Sequence, residues 1–263
     1  MAVAPVPALF QTVGAGRFRA AAATRGPWDA AMMHGGAPAA LLAHAIGSLE
    51  PGAQLMVARL TVEFLGAVPV GDVSVQASLA KPGRRFQVVD AVLHAGDREV
   101  CLARAIRLRR ADMPAAEASP DSVAPLPPPD SGPVLPPFSD GGGFYPEASE
   151  IRHVGGELGS GHVVAWIRLR GELLPGVAPS ALVRAVAAAD FANGLSQVLA
   201  FDEWTFVNTE LTVHLHREPA GEWVGLDART MCGAAGIGLS TGVLHDLDGP
   251  FGTCAEALFV EPR

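Results

Sequence analysis

Asp190 is the residue least in keeping with its surroundings. It follows Ala185-Val186-Ala187-Ala188-Ala189 and precedes Phe191-Ala192. A carboxylate in so apolar a run is costly unless it is hydrogen-bonded or used. One held out of bulk water can orient a water molecule and take its proton. The structural alternative is an exposed helix stripe, or the cap of a helix broken at Asn193-Gly194. A second candidate is His34-Gly35-Gly36, just ahead of an Ala- and Leu-rich stretch. Two glycines at a helix start let backbone approach a ligand, and the N–H groups there favour negative charge. A tight turn packed against a sheet fits the same residues, and His34 reads first as structural.

Other spacings lead away from particular chemistries. Lys81, Arg84 and Arg85 form a small basic cluster around Pro82-Gly83 that could meet a phosphate but reads first as a solvated turn. His214 and His216 share a strand face, yet no third ligand lies at a metal-binding spacing, so no metal is expected. Gly238-Leu239-Ser240-Thr241-Gly242 has the form of a nucleophile elbow. It falls inside an expected strand, with little chain left to supply an acid and a histidine. Gly233-Ala234-Ala235-Gly236 lacks the dinucleotide fingerprint. Cys101, Cys232 and Cys254, an odd number with no Cys-x-x-Cys, read as small core residues of a reduced protein.

The elements that must position these residues occur twice. Leu60-Thr61-Val62 returns as Leu211-Thr212-Val213, and Val92-Leu93-His94 as Val243-Leu244-His245, both 151 positions on. Pro69-Val70-Gly71-Asp72 is echoed by Pro219-Ala220-Gly221-Glu222, and Ala103-Arg104-Ala105 by Ala255-Glu256-Ala257. Each match alone is at chance level; the shared register implies one fold built twice. Hydrophobic residues at 49% of the 263-residue chain, against 17% charged, suffice for two cores and a buried interface. A net charge of −8 without a basic stripe argues against nucleic acid. No signal peptide and no membrane span are expected, and the chain reads as cytoplasmic.

Residues 36–49 read as a helix apolar all round, hence buried, with a stop at Pro51-Gly52. Strands are expected at 54–65, 72–81, 86–94 and 99–109, where Arg59, Thr61 and Glu63 alternate with Leu60, Val62 and Phe64. Ten prolines fall in 114–146, too many for a helix or a sheet interior. The order then repeats: strand 161–170, helix 179–200, and strands 205–216, 222–229, 236–245 and 253–260. The organisation is an N-terminal unit at 1–112, an extended linker over the surface at 113–146, and a C-terminal unit at 147–263. Each unit is a long helix wrapped by an antiparallel sheet, an α+β architecture.

This order, with particular residues, resembles the acyl-coenzyme A thioesterase II and acyl-CoA thioesterase-like proteins. Trp28 followed by His34-Gly35-Gly36 resembles that family's first-helix start. Lys81-Pro82-Gly83-Arg84-Arg85-Phe86 with Val92-Leu93-His94 resembles its Gly-Arg-Ser-Phe turn and the strand after it. Ala189-Asp190-Phe191 resembles its Ser-Asp-Phe, and Leu211-Thr212-Val213 through His216-Arg217-Glu218-Pro219 its strand ending in His-Arg-Pro. The resemblance implies a double hot-dog fold, no cofactor, an acyl-CoA or related thioester as substrate, and a homo-oligomer. It also implies that water attacks the thioester, held by Asp190. Asn208 stands at the family's threonine with Thr209 beside it, and Glu256 at its glutamine. His34, Gly35 and Gly36 would lie near the ligand, and Arg84 and Arg85 near a coenzyme phosphate. A non-catalytic acyl-binding protein is the alternative. A hydratase reading would want an Asp/His pair along a helix start, and none is evident there.

Overall fold

The computed structural model describes residues 8–49, 54–113, 124–138 and 142–263. The helix stop at Pro51-Gly52 and part of the proline-rich segment lie outside the described residues. The first half comprises β1 (Phe10–Gly14), β2 (Arg17–Ala20), α1 (Gly36–Ser48), β3 (Leu55–Phe64), β4 (Asp72–Lys81), β5 (Phe86–Ala95) and β6 (Arg98–Arg109). The second comprises β7 (Ser149–Glu157), β8 (His162–Leu169), α2 (Ala181–Ala189), α3 (Ala192–Leu195), β9 (Trp204–Asn208), β10 (Glu210–Leu215), β11 (Trp223–Cys232), β12 (Ile237–Asp246) and β13 (Gly249–Pro262). Among the described residues, no helix is long and apolar enough to cross a membrane.

One antiparallel sheet runs β1-β2-β4-β5-β6-β3-β10-β13-β12-β11-β8-β7, with β9 also paired to β13. The order is mirrored about the β3–β10 seam, where Thr61 sits opposite Thr212. The Thr212 hydroxyl donates to the Thr61 hydroxyl at 3.0 Å. The repeat register read along the chain is therefore also the register of the seam, with a local two-fold between these threonines. Each half curls round its helix, and α1 and α2 pack on each other. The α1 residues Ala37 through Ala43 are almost wholly buried, as its all-round apolar sequence requires.

Three differences from the sequence reading bear on the site. The helix expected over 179–200 is shorter and broken. Ser180 caps α2 by accepting from the Val183 N–H, and α2 stops at Asp190 before the single turn of α3. The strand expected over 205–216 is two strands. Thr212 faces Ala255 but Asn208 faces Leu258, so the β9–β10 side carries one extra residue, a bulge at 209–211. Glu210 fills the gap by accepting the Ala257 N–H at 2.9 Å. The same irregularity recurs in the first half between Val57 and Arg59, and Val57 is the repeat counterpart of Asn208. Strands β1, β2 and β7 were not anticipated: β2 is very short, and β7 carries Gly155-Gly156.

The proline-rich segment does more than span a gap. The Trp166 indole donates to the Pro127 carbonyl at 2.7 Å, and Leu135 N–H to the Ile151 carbonyl at 2.9 Å. Phe144 and Tyr145 at its end are buried. The His153 N–H on β7 donates in turn to the Pro133 carbonyl at 3.0 Å, so the segment's backbone both gives and accepts hydrogen bonds along the β7 edge.

Candidate active site

The break between α2 and α3 sets Asp190 at the end of a buried helix. Its side chain is only 2% exposed. Oδ1 accepts from Asn208 Nδ2 at 2.8 Å, and Oδ2 lies 2.9 Å from His34 Nδ1. The carboxylate thus joins the start of α1, the end of α2 and the end of β9 beside the bulge. The His34 ring packs on both Phe144 and Phe191, with centroids 4.9 and 4.6 Å away, and those two rings stack on each other at 5.7 Å. The Gly36 N–H also reaches His34 Nδ1, at 3.1 Å. One nitrogen cannot accept from Gly36 and donate to Asp190 together. The proton between ring and carboxyl therefore has two arrangements: on Nδ1, or on Oδ2 with Nδ1 accepting from Gly36. This Asp/His pair spans the two halves, so no local spacing along a helix start reveals it.

Glu256, on β13, is wholly buried. Oε1 accepts from Asn208 Nδ2 at 3.1 Å and Oε2 from the Asn193 N–H at 3.0 Å. Burial pushes its carboxyl well above the usual carboxylate range, and the neighbouring Asp190 adds to the rise. The two N–H donors act the other way and are outweighed. Asn208 therefore spends both amide hydrogens bridging the two carboxyl groups. Asn193 is held in turn by its Nδ2 bond to the Phe206 carbonyl at 2.9 Å.

Asp190, Asn208, Thr209, Gly35 and His34 line a cleft of about 410 Å³. Trp28 and Phe201 stack there at 4.2 Å, with Phe206 edge-on to Trp28 at 5.1 Å. The Arg263 guanidinium lies 5.1 Å from both stacked rings. A smaller cavity of about 200 Å³ shares the wall formed by His34, Phe201 and Gly194.

The structure thus brings together Asp190, Asn208, Glu256, His34 and Gly35. Gly36 is buried against the Phe144 ring and the Ala187 carbonyl, where a Cβ would come within 2.9 and 3.0 Å. Thr209 lies on the cleft, but its hydroxyl donates to the Ala257 carbonyl at 3.2 Å rather than to Asp190. Arg84 and Arg85 do not line this cleft. They lie in the β4–β5 turn, where Phe86 pairs with Leu108 at the end of β6. The cleft residue Phe64 pairs instead with Cys101, near the start of β6. The cation beside the cleft is Arg263. Ser240 is buried within β12, with no strand-to-helix turn around it. Burial pushes the Cys101 thiol up to about 12, and Asp190 adds to this, so it stays an unreactive thiol. Asn193 was missed although it lies three residues after Asp190, a spacing that places both on one helical face.

Sequence comparison decides the family. A model of the acyl-CoA thioesterase C-terminal domain matches residues 120–260, and one of the N-terminal domain matches residues 24–108. The chain belongs to the acyl-CoA thioesterase family. Its fold is the α+β double hot-dog. An acyl-CoA thioesterase II, TesB2, from Mycobacterium marinum superposes with a TM-score of 0.69 at 15% identity, covering 97% of this chain and 96% of that one. The tesB protein of Mycobacterium avium subsp. paratuberculosis gives 0.69 at 16%, covering 96% of each. A hot dog fold protein from Alicyclobacillus acidocaldarius gives 0.75 at 17%, covering 96% and 95%. Likeness at such identity speaks for the fold alone. None of the curated proteins compared matches the sequence. Family membership places the chain among thioesterases in general.

Gly35 provides a local test of the geometry. A Cβ there would lie 2.8 Å from Asp190 Oδ1 and 2.9 Å from Oδ2. Its backbone is ordinary right-handed helix, φ −55, so alanine brings no backbone strain. Gly35→Ala is expected to displace the carboxylate and lower kcat by about 10²-fold, the scale of a 1 Å misplacement, while the melting temperature changes little. An unchanged kcat would mean that the Gly35–Asp190 approach is unimportant to turnover.

Proposed function

We propose that this protein hydrolyses acyl-CoA thioesters to the free acid and coenzyme A, with Asp190 as the group that holds and deprotonates the attacking water. The observation that carries this reading is the meeting of Asp190, Asn208 and His34 on one aromatic-walled cleft. The water oxygen adds to the thioester carbonyl carbon while its proton passes to the Asp190 carboxylate. The carbonyl oxygen becomes an oxyanion, for which the Gly35 N–H at the start of α1 is the donor at hand. Collapse breaks the carbon–sulfur bond, and the proton held by Asp190, shared with His34, goes to the departing sulfur. Asn208, itself held by Glu256, keeps Asp190 in place. The stacked Trp28 and Phe201 and the Arg263 cation offer a surface for the coenzyme.

The test is release of free thiol from a panel of acyl-CoA substrates. Release from none of them would leave the non-catalytic acyl-binding reading, supported if the same thioesters raise the melting temperature. The His34–Asp190 pair favours one further alternative, hydration of an enoyl thioester. Loss of enoyl absorbance without thiol release would select it.

We infer also that the chain forms a homo-oligomer through the outer face of the second half. Met231 faces Leu239 and Ile237 faces Phe259 across β11–β12–β13, and all four side chains are exposed. Clustered exposed apolar groups of this kind mark association sites. Light scattering should give a multiple of the chain mass, reduced to one chain by Ile237→Glu with Phe259→Glu. A monomeric native protein sinks the inference.

A further inference from the structure

The smaller cavity differs from the main cleft in its chemistry. His34, Phe138, Tyr145 and Phe191 give it an aromatic wall, and Arg25 and Gln197 line it as well. The Tyr145 hydroxyl is already committed to the Leu135 carbonyl. Arg25 is the one cation on the wall, and among the described residues its side chain has no ion pair. Its Nε is buried with no hydrogen-bond partner. Arg25 as a whole is half-buried, and buried polar atoms such as its Nε are almost always matched in folded proteins. Gln197 likewise makes no side-chain hydrogen bond among the described residues. An aromatic slot would suit a plain alkyl chain without either of them. What this slot offers in addition is an arginine fork and a neighbouring amide, the donor set that fits a carboxylate.

The two cavities also divide the substrate. Coenzyme A must reach solvent, which suits the cleft of about 410 Å³ beside Arg263. The acyl group is the part to be enclosed, which suits the cavity of about 200 Å³. His34 lies on the wall between them, beside Asp190. A thioester carbonyl at Asp190 would therefore send its acyl chain past His34 towards Arg25.

We infer that the acyl group this site takes is short and ends in a carboxylate, with Arg25 pairing to that carboxylate; the substrate class is ω-carboxyacyl thioesters. The inference rests on the thioesterase reading above for the position of the thioester. Arg25 is a specificity-determining residue here and takes no part in bond breaking.

The experiment measures binding in an Asp190→Asn background by calorimetry, so that turnover does not enter. Succinyl-CoA is compared with butyryl-CoA, and glutaryl-CoA with valeryl-CoA. Within each pair the coenzyme and the chain length cancel. A charge-assisted pair predicts at least about tenfold tighter binding of the carboxylated member. Arg25→Met should bring the ratio to within about twofold, and Arg25→Lys, which keeps the charge without the fork, should retain part of it. Rising salt should shrink the ratio in the Arg25 protein, a check that needs no substitution at Arg25. Equal or tighter binding of butyryl-CoA, or a ratio that survives Arg25→Met, overturns the inference. Absence of thiol release from every thioester by the native protein overturns the thioesterase reading instead, and the binding ratio is read independently of it.

Discussion

Asp190→Asn is expected to lower kcat for thioester hydrolysis by about 10²- to 10⁴-fold, the usual contribution of a positioned general base, while leaving the fold intact. Asparagine has the same shape, and its carbonyl oxygen can still accept from Asn208 Nδ2, as Oδ1 does at 2.8 Å. Its amide then faces His34 Nδ1, which accepts once its proton is on the other ring nitrogen. Both contacts of the carboxylate are thus replaced, and only its ability to take a proton is lost. The melting temperature should stay within a few degrees of the native value. It could even rise, because removing the Asp190 charge relieves one of the influences that raise the Glu256 carboxyl. Steady-state kinetics with a thiol reagent, beside thermal melts, checks this. If Asp190→Asn keeps kcat within about threefold of native, Asp190 is a structural cap and the attacking water is held elsewhere.

The second large effect concerns Asn208 and Glu256, the two positions where the family resemblance implies a threonine and a glutamine. Asn208 Nδ2 donates to both Asp190 and Glu256, and each Glu256 oxygen accepts one bond, Oε1 from Asn208 and Oε2 from the Asn193 N–H. A threonine at 208 has one hydroxyl, which can donate to Asp190 and accept from a glutamine amide at 256. Asparagine and glutamate reverse the direction of the second bond, so the two departures compensate each other. Glu256→Gln alone sets its amide against either Asn208 Nδ2–H or the Asn193 N–H. That should cost about 1–3 kcal/mol, the penalty of a buried polar group left unsatisfied. Asn208→Thr alone leaves one oxygen of Glu256 short of a donor and should cost a similar amount. Asn208→Thr with Glu256→Gln should recover much of the loss in both stability and kcat, with a coupling of about 0.5–3 kcal/mol. Additive losses in the double variant would show that the two positions do not act as a pair.

The pH dependence of stability gives a separate reading on Glu256. Its folded carboxyl titrates well above its unfolded range. In the window between the two, the folded state holds a proton that the unfolded state has released. Stability then falls as pH rises through that window, and below the ordinary glutamate range this group contributes no pH dependence. The double variant has no ionisable group at 256 and should lose less stability between pH 5 and 8. Urea titrations at the two pH values decide this. A native protein that gains stability over the range relative to the double variant would mean that Glu256 is ionised in the fold.

Much of the architecture could be read along the chain because it rests on local patterns and on a repeat. The apolar ring around residues 36–48 demanded burial, and the alternation at 59–64 demanded a strand with one wet face. The shared offset between Leu60-Thr61-Val62 and Leu211-Thr212-Val213 implied two copies. Asp190 stood out because its neighbours made a charge costly there. Tertiary structure alone decided the rest. That Thr61 should face Thr212 and join the copies into one sheet is a matter of which strand edges meet, and no local pattern encodes it. Asn208 reaches Asp190 and Glu256 together because an extra residue in the strand re-aims it, and the alternating pattern carries straight through that point. His34 meets Asp190 because the start of α1 packs against the end of α2, far apart in sequence. Arg84 and Arg85 had the right charge for a coenzyme phosphate, but sheet register puts them at the far end of β5 and β6. Residue type and local environment thus identified the carboxylate. Only the non-local pairing of strands and helices determined its partners, because hydrogen bonds depend on ångström distances between segments that local sequence does not specify.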